Sequence, residues 1–247
     1  MTKYTNTEDL ANRIIEELAK LNEPIVFKGA MTLHYSIRND NPSEVSRRTK
    51  DIDGDYTNTN VTMKKLWSII NKAVSSINPE LEVCTTREFS EKRSANFVIY
   101  KSMDKLLSID LSVRENPFYR IYLSFNDVPI RGATESKMVA DKIVTISTRL
   151  VFRRTKDLVD LYILSLSGKI FNTIDIVHIN RNFNRQIGDF CHFKNSVDEI
   201  QYAYDKLREV ENKPRFDILY EQVFRFVKPF MSNLVPDLNW FDNDWKI

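Results

Sequence analysis

Three aspartates stand at every second position in the segment RRTKDIDGDY, which spans residues 47–56. Side chains two residues apart point to the same face of a β-strand, so the carboxylates of Asp51, Asp53 and Asp55 should crowd one side of a sheet. Carboxylates this close repel one another, and the repulsion is relieved by protonation, by a cation or by open water. The segment is therefore a candidate cation site.

Magnesium is the cation that this arrangement favours. Mg²⁺ takes one or two carboxylates, here those of Asp51 and Asp53, and keeps water or substrate phosphates in its other positions. In LLSIDLSVR, residues 106–114, polar and apolar side chains alternate, which places Asp110 on the polar face of a predicted strand. A neighbouring strand with Asp110 would complete a two-metal clamp. The alternative is ordinary: polar residues that alternate along a half-exposed strand are usually solvated or paired with lysines.

The segment FKGAMTLHY, residues 27–35, adds a predicted phosphate site. A glycine that leaves a buried strand and opens a helix lets backbone N–H groups approach an anion, assisted by the positive end of the helix dipole. Gly29 has this position between the apolar run PIVF and a predicted helix. In the sequence, the predicted phosphate site follows the first strand directly and precedes the aspartate strand.

In this order of elements the sequence resembles the polymerase-β-like nucleotidyltransferases, and among them the AbiEii/AbiGii nucleotidyltransferase toxins of abortive-infection and toxin-antitoxin systems. Their Gly-Gly or Gly-Ser turn followed by R-x-[ST]-x-D-h-D is similar to Lys28-Gly29-Ala30 and to residues 47–53, with the arginine offset by one. Ala30 departs from the family, which usually has Gly or Ser there. The missing hydroxyl leaves any phosphate contact of the turn to the backbone.

A second signature of the family is similar to the segment ESKMVADKIVTISTRLVFRRTKDLVDLYIL, residues 135–164. The family has a lysine-bearing helix, then an arginine, then K-D-h-h-D-h-h-x-L. The pattern corresponds in this sequence to Lys142, Arg149, Lys156, Asp157 and Asp160. The closing segment LNWFDNDWKI has the tryptophan-rich character of such chains, so the resemblance extends over most of the protein.

The resemblance implies a Mg²⁺-dependent enzyme that moves a nucleoside monophosphate from a nucleoside triphosphate to an acceptor, either RNA such as tRNA or a protein. It implies a toxin countered by a cognate antitoxin. The metal ligands, expected to hold two Mg²⁺ ions, would be Asp51, Asp53 and Asp110. The catalytic residues would be those three together with Lys142 and Asp157. The nucleotide-binding residues would be Lys28, Gly29, Ala30, Arg48, Thr49, Lys142, Arg149 and Asp160.

Several alternatives stay open at this point. A relative of the family that only senses nucleotide, or docks on a partner, would keep the same fold without catalysis. Arg149 could form a helix-helix ion pair with Asp157 or Asp160 instead of binding phosphate. The segment HINRNFNRQ, residues 178–186, interleaves arginines with a phenylalanine, which suits either RNA binding or a solvated helix face.

The sequence predicts an α+β fold. Strands and helices alternate up to residue 132 in a predicted polymerase-β-like nucleotidyltransferase domain, 1–132, with a mixed sheet, whereas 133–247 has helical periodicity and predicts a helical domain. Strands are predicted at ELEVCTT, ANFVIYK, LLSIDLSVR and YRIYLSF.

The bulk composition sets the remaining expectations. Lys and Arg number 36 against 34 Asp and Glu, so any basic surface must be local. The chain has 247 residues with 42% apolar content, two cysteines, a polar N-terminal segment and no apolar run of about 18 residues. These features predict a cytoplasmic protein without a membrane partner or a disulfide framework.

Overall fold

The computed structural model describes residues 3–38, 44–88, 93–232 and 234–247. The helices and strands, in chain order, are α1 (Lys3–Lys20), β1 (Ile25–Lys28), α2 (Gly29–Ile37), β2 (Ser46–Arg47), β3 (Asp51–Tyr56), α3 (Met63–Ile77), β4 (Leu81–Arg87), β5 (Ser94–Lys101), β6 (Asp104–Val113), β7 (Tyr119–Leu123), β8 (Pro129–Ala133), α4 (Glu135–Thr148), α5 (Thr155–Ser165), β9 (Phe171–Asn172), α6 (Thr173–Asn182), α7 (Cys191–Asn195), α8 (Val197–Asp205), β10 (Val210–Glu211), α9 (Phe216–Val227), β11 (Asn239–Phe241) and β12 (Asp244–Lys246). Short 3-10 turns span Val151–Arg153 and Lys228–Met231.

The chain divides into two compact units. The first consists of Met1–Ser36 and Arg48–Ala133, and the second of Ile37–Arg47 and Thr134–Ile247. The division into domains 1–132 and 133–247 that the sequence suggests stays a prediction. No helix among the described residues is both long enough and apolar enough to cross a membrane.

A mixed sheet organises the first unit, with the strand order β4-β5-β6-β3-β1-β8-β7. The pairs β3–β6 and β1–β8 are parallel, whereas the other neighbouring pairs are antiparallel. The four strands predicted between residues 80 and 125 are confirmed as β4 to β7. The sequence analysis missed β8, whose PIRGA sequence begins with proline and contains glycine, residues that are depleted in strands.

The core of the first unit explains why the aspartates share a face. Ile52 and Tyr56 of β3 are 1% and 0% exposed and pack in one apolar cluster with residues of α1 and α3. Because side chains alternate along a strand, burial of these two turns Asp51, Asp53 and Asp55 to the opposite face. The amphipathic pattern of the neighbouring helices therefore sets the direction in which the carboxylates point.

The second unit is mainly helical but contains short strands that the helical periodicity did not predict. Residues 46–47 return to pair with β10, and the chain end forms the three-stranded sheet β12-β11-β9. Trp240 is buried, and its indole Nε1 donates to the backbone oxygen of Ser165 at the end of α5. Two-residue strands carry too little periodicity to be recognised in a sequence.

Candidate active site

The strand register brings together the carboxylates that the sequence analysis selected. β3 pairs in parallel with β6 so that Asp53 lies opposite Asp110 and Asp51 lies opposite Ser108. Directly paired residues point to the same face, so all three aspartates lie on one side of the sheet. The Ser108 hydroxyl donates to Asp51 Oδ1 over 2.5 Å. Asp51 is exposed, while Asp53 and Asp110 are partly buried.

Asp110 is engaged by donors from two neighbouring strands. Arg87 Nη2 lies 2.5 Å from Asp110 Oδ1, and Asn96 Nδ2 lies 2.9 Å from Asp110 Oδ2. The Asp110 side chain nevertheless keeps 41% of its surface exposed. Both of its oxygens thus have a partner, while the side chain as a whole stays partly exposed.

The oxygen-only donor set suits Mg²⁺, which binds carboxylates, hydroxyls and water. Asp51 and Asp53 fit this chemistry, because the metal needs only one or two protein carboxylates. Among the described residues, no group of three or more His, Cys, Asp or Glu side chains lies close enough together to hold a metal ion. Asp51 and Asp53 are therefore candidate ligands, whereas Asp110 is bonded to Arg87 and Asn96.

The Gly29 turn lies directly beside the Asp53 carboxylate. Gly29 begins α2 with a φ of +73°, a left-handed conformation that side chains other than glycine rarely adopt. A Cβ atom at this position would lie 2.5 Å from Asp53 Oδ2. Glycine is therefore required both by the backbone and by the approach of the Asp53 carboxylate. Ala30, the next residue, is 3% exposed.

Asp55, the third aspartate of β3, has a different environment. It is fully buried and accepts hydrogen bonds from Lys28 Nζ over 2.6 Å, from Arg114 Nε over 2.9 Å and from Asn116 Nδ2 over 2.9 Å. Burial by itself would raise the pKa of Asp55, but the charges of Lys28 and Arg114 outweigh it and hold that pKa below its usual value. Lys28, predicted to bind nucleotide, is thus ion-paired with Asp55. Of the three aspartates of β3, Asp51 and Asp53 are at least partly accessible, whereas Asp55 is an internal ion-paired group.

The two remaining predicted residues of the first motif differ in their contacts. Thr49 is buried, its hydroxyl contacts the backbone N–H and C=O of Asp51 over 3.2 and 3.3 Å, and its own N–H donates to Glu8. These bonds hold the chain at the start of β3. Arg48 is partly buried.

A second group of charged residues lies within the second unit. Lys142 Nζ on α4 is 2.5 Å from Asp160 Oδ2 and 3.2 Å from Asp157 Oδ1, both on α5. Arg47 on β2 forms two bonds with Asp160, from Nε over 2.8 Å and from Nη2 over 2.9 Å. Arg154 Nε donates to Asp157 Oδ2 over 2.7 Å.

The charges in this group stabilise one another. Burial would raise the pKa of Asp160, but Arg47 and Lys142 outweigh it and hold that pKa well below its usual value. Burial would lower the pKa of Lys142, but Asp160 and Asp157 outweigh it and raise that pKa. Asp160, Lys142 and Arg47 are therefore all charged at neutral pH.

The structure corrects the expectations for this block. Arg149, the suggested partner of Asp157 or Asp160, is exposed, and Arg47 and Lys142 pair with Asp160 instead. Asp157 is 8% exposed and is contacted by Lys142 and Arg154.

Arg47 was missed by the sequence analysis, although a signal for it was present. In the spacing R-x-[ST]-x-D-h-D, an arginine four residues before Asp51 is residue 47 and not residue 48. The structure gives the two arginines different environments, since Arg47 is 8% exposed and forms the paired contact with Asp160.

The segment 178–186 is not a wholly solvated helix face. Arg185 Nη1 pairs with Asp141, which also accepts from the fully buried Lys137 over 2.5 Å. The Phe183 ring centroid lies 4.3 Å from Lys137 Nζ. Arg181 is exposed, whereas Phe183 and Arg185 are partly buried.

Comparisons with known proteins agree with this architecture. A family model described as nucleotidyl transferase AbiEii toxin, type IV toxin-antitoxin system, matches residues 13–244. MenT4, a nucleotidyltransferase toxin from Mycobacterium tuberculosis H37Rv, is similar in structure with a TM-score of 0.53 at 13% identity, covering 95% of this chain and 86% of that one. ANT(2")-Ia in complex with adenylyl-2"-tobramycin aligns with a TM-score of 0.43 at 12% identity, covering 73% of this chain and 97% of that one. No curated protein matches the chain significantly.

Proposed function

The chain belongs to the AbiEii family of nucleotidyltransferase toxins of type IV toxin-antitoxin systems, and from this premise we propose that it transfers a nucleoside monophosphate in a Mg²⁺-dependent reaction centred on Asp51 and Asp53. The chain is a nucleotidyltransferase, so the alternative of a non-catalytic nucleotide sensor is not retained. The observation that carries the proposal is the placement of Asp53 between Gly29, whose added Cβ would meet its carboxylate, and Asp110, its register partner on β6.

Asp51 and Asp53 are the residues that would hold Mg²⁺. When bound, this ion neutralises phosphate charge and orients the triphosphate for in-line displacement. The backbone N–H groups at the start of α2, beside Gly29, suit the same phosphates, because a helix start favours negative charge. Gly29 has a positive φ and no side chain, so nothing at this turn separates the phosphate from the carboxylate.

The chain supplies the proton acceptor that the transfer step needs. The oxygen of the acceptor hydroxyl forms a bond to the α-phosphorus, the bond from that phosphorus to the bridging oxygen breaks, and pyrophosphate leaves. Asp110, which is partly exposed and lies opposite Asp53, accepts the hydroxyl proton. Most of the rate enhancement of such reactions comes from positioning and charge neutralisation, and little from covalent chemistry.

The charged group of the second unit has a supporting role in the proposal. Lys142 was expected to contact the triphosphate, but its ammonium is bonded to Asp160 and Asp157. For Lys142 to bind a phosphate, the phosphate would replace Asp157, the more distant of the two carboxylates. Asp160 is then a positioning residue that keeps Lys142 charged and fixed, and Arg47 holds Asp160 in place through two hydrogen bonds.

Family membership implies a nucleoside triphosphate as the substrate and an antitoxin as the counterpart of the toxin. The acceptor that we propose is RNA, such as tRNA, or a protein, and the experiment below distinguishes the two.

The proposal is tested by incubating the protein and Mg²⁺ with each of four nucleoside triphosphates labelled at the α-phosphate, in the presence of total RNA or of total protein. We expect label on one acceptor class with wild type and none with Asp53→Asn, whose fold should survive because a crowded carboxylate is removed. Asp104→Asn, which removes an exposed carboxylate from β6 outside the site, is the matched control and should label as wild type does. Transfer by a folded Asp53→Asn variant at the wild-type rate would refute the assignment of the site.

A further inference from the structure

One edge of the sheet in the first unit presents an apolar strand. β7 stands at the end of the strand order, and among the described residues it pairs with β8 alone. Its side chains Tyr119, Ile121 and Leu123 are 45%, 55% and 52% exposed, and Phe125, just beyond the strand, is 42% exposed. Because side chains two residues apart share a face of a strand, Tyr119, Ile121 and Leu123 form one exposed apolar row. An apolar row on an edge strand is a template for pairing with another chain.

The backbone of the apolar row points to the open edge. The N–H of Ser124 donates to the backbone oxygen of Val128 over 2.9 Å, which makes these two residues a hydrogen-bonded pair of the β7–β8 hairpin. Hydrogen-bonded and non-hydrogen-bonded pairs alternate along an antiparallel ladder, so Leu123 and its partner Pro129 form a non-hydrogen-bonded pair. Proline suits that position because it has no N–H. By the same alternation, the N–H and C=O groups of the whole apolar row point away from β8.

The opposite edge of the same sheet has the features of a solvated strand. β4 exposes Glu82, Thr85 and Arg87, and its register with β5 shifts between Thr85 and Arg87. Charged residues and bulges are the features by which proteins keep an edge strand from pairing with another chain. β7, in contrast, has an unshifted register with β8, and Arg120 is its one charged residue. The two edges therefore differ in the features that separate a solvated edge strand from a paired one.

We propose that β7 pairs antiparallel with β7 of a second copy of this chain, across a two-fold axis at Ile121. In this register Ile121 lies opposite Ile121 of the second copy, and Tyr119 lies opposite Leu123 on either side of the axis. The outward N–H and C=O groups of the two apolar rows form about six hydrogen bonds, two for each pair of residues. The apolar side chains of the two rows stabilise the seam as cross-strand pairs on one face.

The sequence of β7 is complementary to itself in this register, which favours a second copy as the occupant. Arg120 lies opposite Tyr122 of the second copy, and within its own chain its guanidinium carbon already lies 4.9 Å from the centroid of the Tyr122 ring. A slide of two residues shortens the ladder, and in one direction it places Arg120 opposite Arg120, where like charges are destabilising. The contact thus uses the same residues on both copies, as a two-fold interface requires.

The oligomeric state of the full chain tests this inference, which does not depend on the proposed function. Sedimentation velocity is recorded from about 1 to 100 µM protein without nucleotide, because a dimer forms by mass action. We expect wild type to shift from the mass of one chain to the mass of two. Ile121→Lys and Ile121→Glu should each raise the dissociation constant of the dimer more than about tenfold, because each places like charges opposite each other at the two-fold axis.

An equal mixture of the Ile121→Lys and Ile121→Glu variants should restore the dimer, since the register then places opposite charges across the axis. Thr85→Lys is the matched control, because it adds the same charge at an exposed position of the other edge strand, and it should dimerise as wild type does. Melting curves confirm that each variant is folded.

Amide hydrogen exchange of wild type is a second measurement, and it needs no variant. The N–H groups of the apolar row should exchange more slowly at the high end of the concentration range, because they become hydrogen-bonded. Exchange that does not change with concentration, or a wild type that stays monomeric, would overturn the proposal. A dimer that Ile121→Lys leaves intact would place the contact elsewhere on the chain. Two monomeric variants whose mixture stays monomeric would rule out the register with Ile121 at the axis.

Discussion

The guanidinium of Arg47 and the carboxylate of Asp160, 113 positions apart in the chain, form two parallel hydrogen bonds, 2.8 Å from Nε to Oδ1 and 2.9 Å from Nη2 to Oδ2. Asp160 is fully buried, and Lys142 contacts its second oxygen. The contact fixes β2 to α5 inside the second unit. It brings together the arginine of the first family signature and a carboxylate of the second.

This pairing predicts that Asp160→Asn destabilises the protein more than Asp157→Asn. Removal of one partner from a buried ion pair leaves the other charge stranded and typically costs about 3 to 5 kcal/mol. Asp157 is also buried, but its partner Arg154 is half exposed and its other partner, Lys142, keeps a shorter contact with Asp160, so its loss should cost about 1.5 to 3 kcal/mol. Urea unfolding of both variants measures the difference. The opposite order, or two silent variants, would show that the ion pairs do not hold the unit together.

A second prediction concerns the contact between Gly29 and Asp53. Gly29→Ala should abolish nucleotide transfer, because the new Cβ would lie 2.5 Å from Asp53 Oδ2 and displace the carboxylate. The left-handed backbone should add a loss of stability of about 1 to 2 kcal/mol.

The matched control is Gly168→Ala, since Gly168 has a similar φ of +69° and nothing within 4 Å of an added Cβ. Melting temperature and transfer rate are measured for both variants. Both should lose similar stability, and Gly168→Ala should keep its activity. Full activity in Gly29→Ala would show that transfer does not depend on the close approach of the Gly29 turn to the Asp53 carboxylate.

A third prediction uses the lowered pKa of Asp55. A carboxyl group whose pKa is lowered in the folded state stabilises the protein fully above its unfolded value, here 3.8, and this stabilisation is lost as the pH falls toward the lowered folded value. Asp55→Asn should therefore cost about 2 to 3 kcal/mol at pH 7. It should also reduce the dependence of unfolding free energy on pH below about pH 4, by up to about 1.4 kcal/mol per pH unit.

Urea unfolding at a series of pH values between neutral and acidic conditions measures this effect, with Asp104→Asn as the control for an exposed carboxylate. If Asp55→Asn had the same pH dependence as wild type and Asp104→Asn, the pKa of Asp55 would not be lowered in the folded protein.

A fourth prediction concerns Arg87, whose Nη2 lies 2.5 Å from Asp110 Oδ1. If Mg²⁺ and Arg87 compete for this carboxylate, Arg87→Gln should lower the Mg²⁺ concentration that gives half-maximal transfer. Because both side chains are about half exposed, the ion pair is worth up to about 1 kcal/mol, and the change should be about two- to fivefold.

A Mg²⁺ titration of the transfer rate is the measurement, and Lys101→Gln is the control, because it removes an exposed cation from the neighbouring strand β5 without touching Asp110. A higher Mg²⁺ requirement in Arg87→Gln would mean that the arginine orients Asp110 for the metal instead of competing with it.

The sequence by itself determined the features that depend on local spacing. The alternation of Asp51, Asp53 and Asp55 fixed their common face, and the apolar alternation around Asp110 fixed the direction of that side chain, because the period of a strand is two residues wherever it lies. Gly29 could be placed at a turn for the same reason, since the conformational freedom of glycine is a property of the single residue.

Only the tertiary structure decided which charges pair. The three aspartates of β3 are alike in sequence, yet Asp55 is buried with Lys28 and Arg114 while Asp51 is exposed. Likewise, helical spacing made Arg149 a reasonable partner for Asp160, and the return of residues 46–47 to β10 brought Arg47 there instead. The physical reason is that an ion pair depends on distance and burial, which are set by contacts between segments far apart in the chain and leave no period in the sequence.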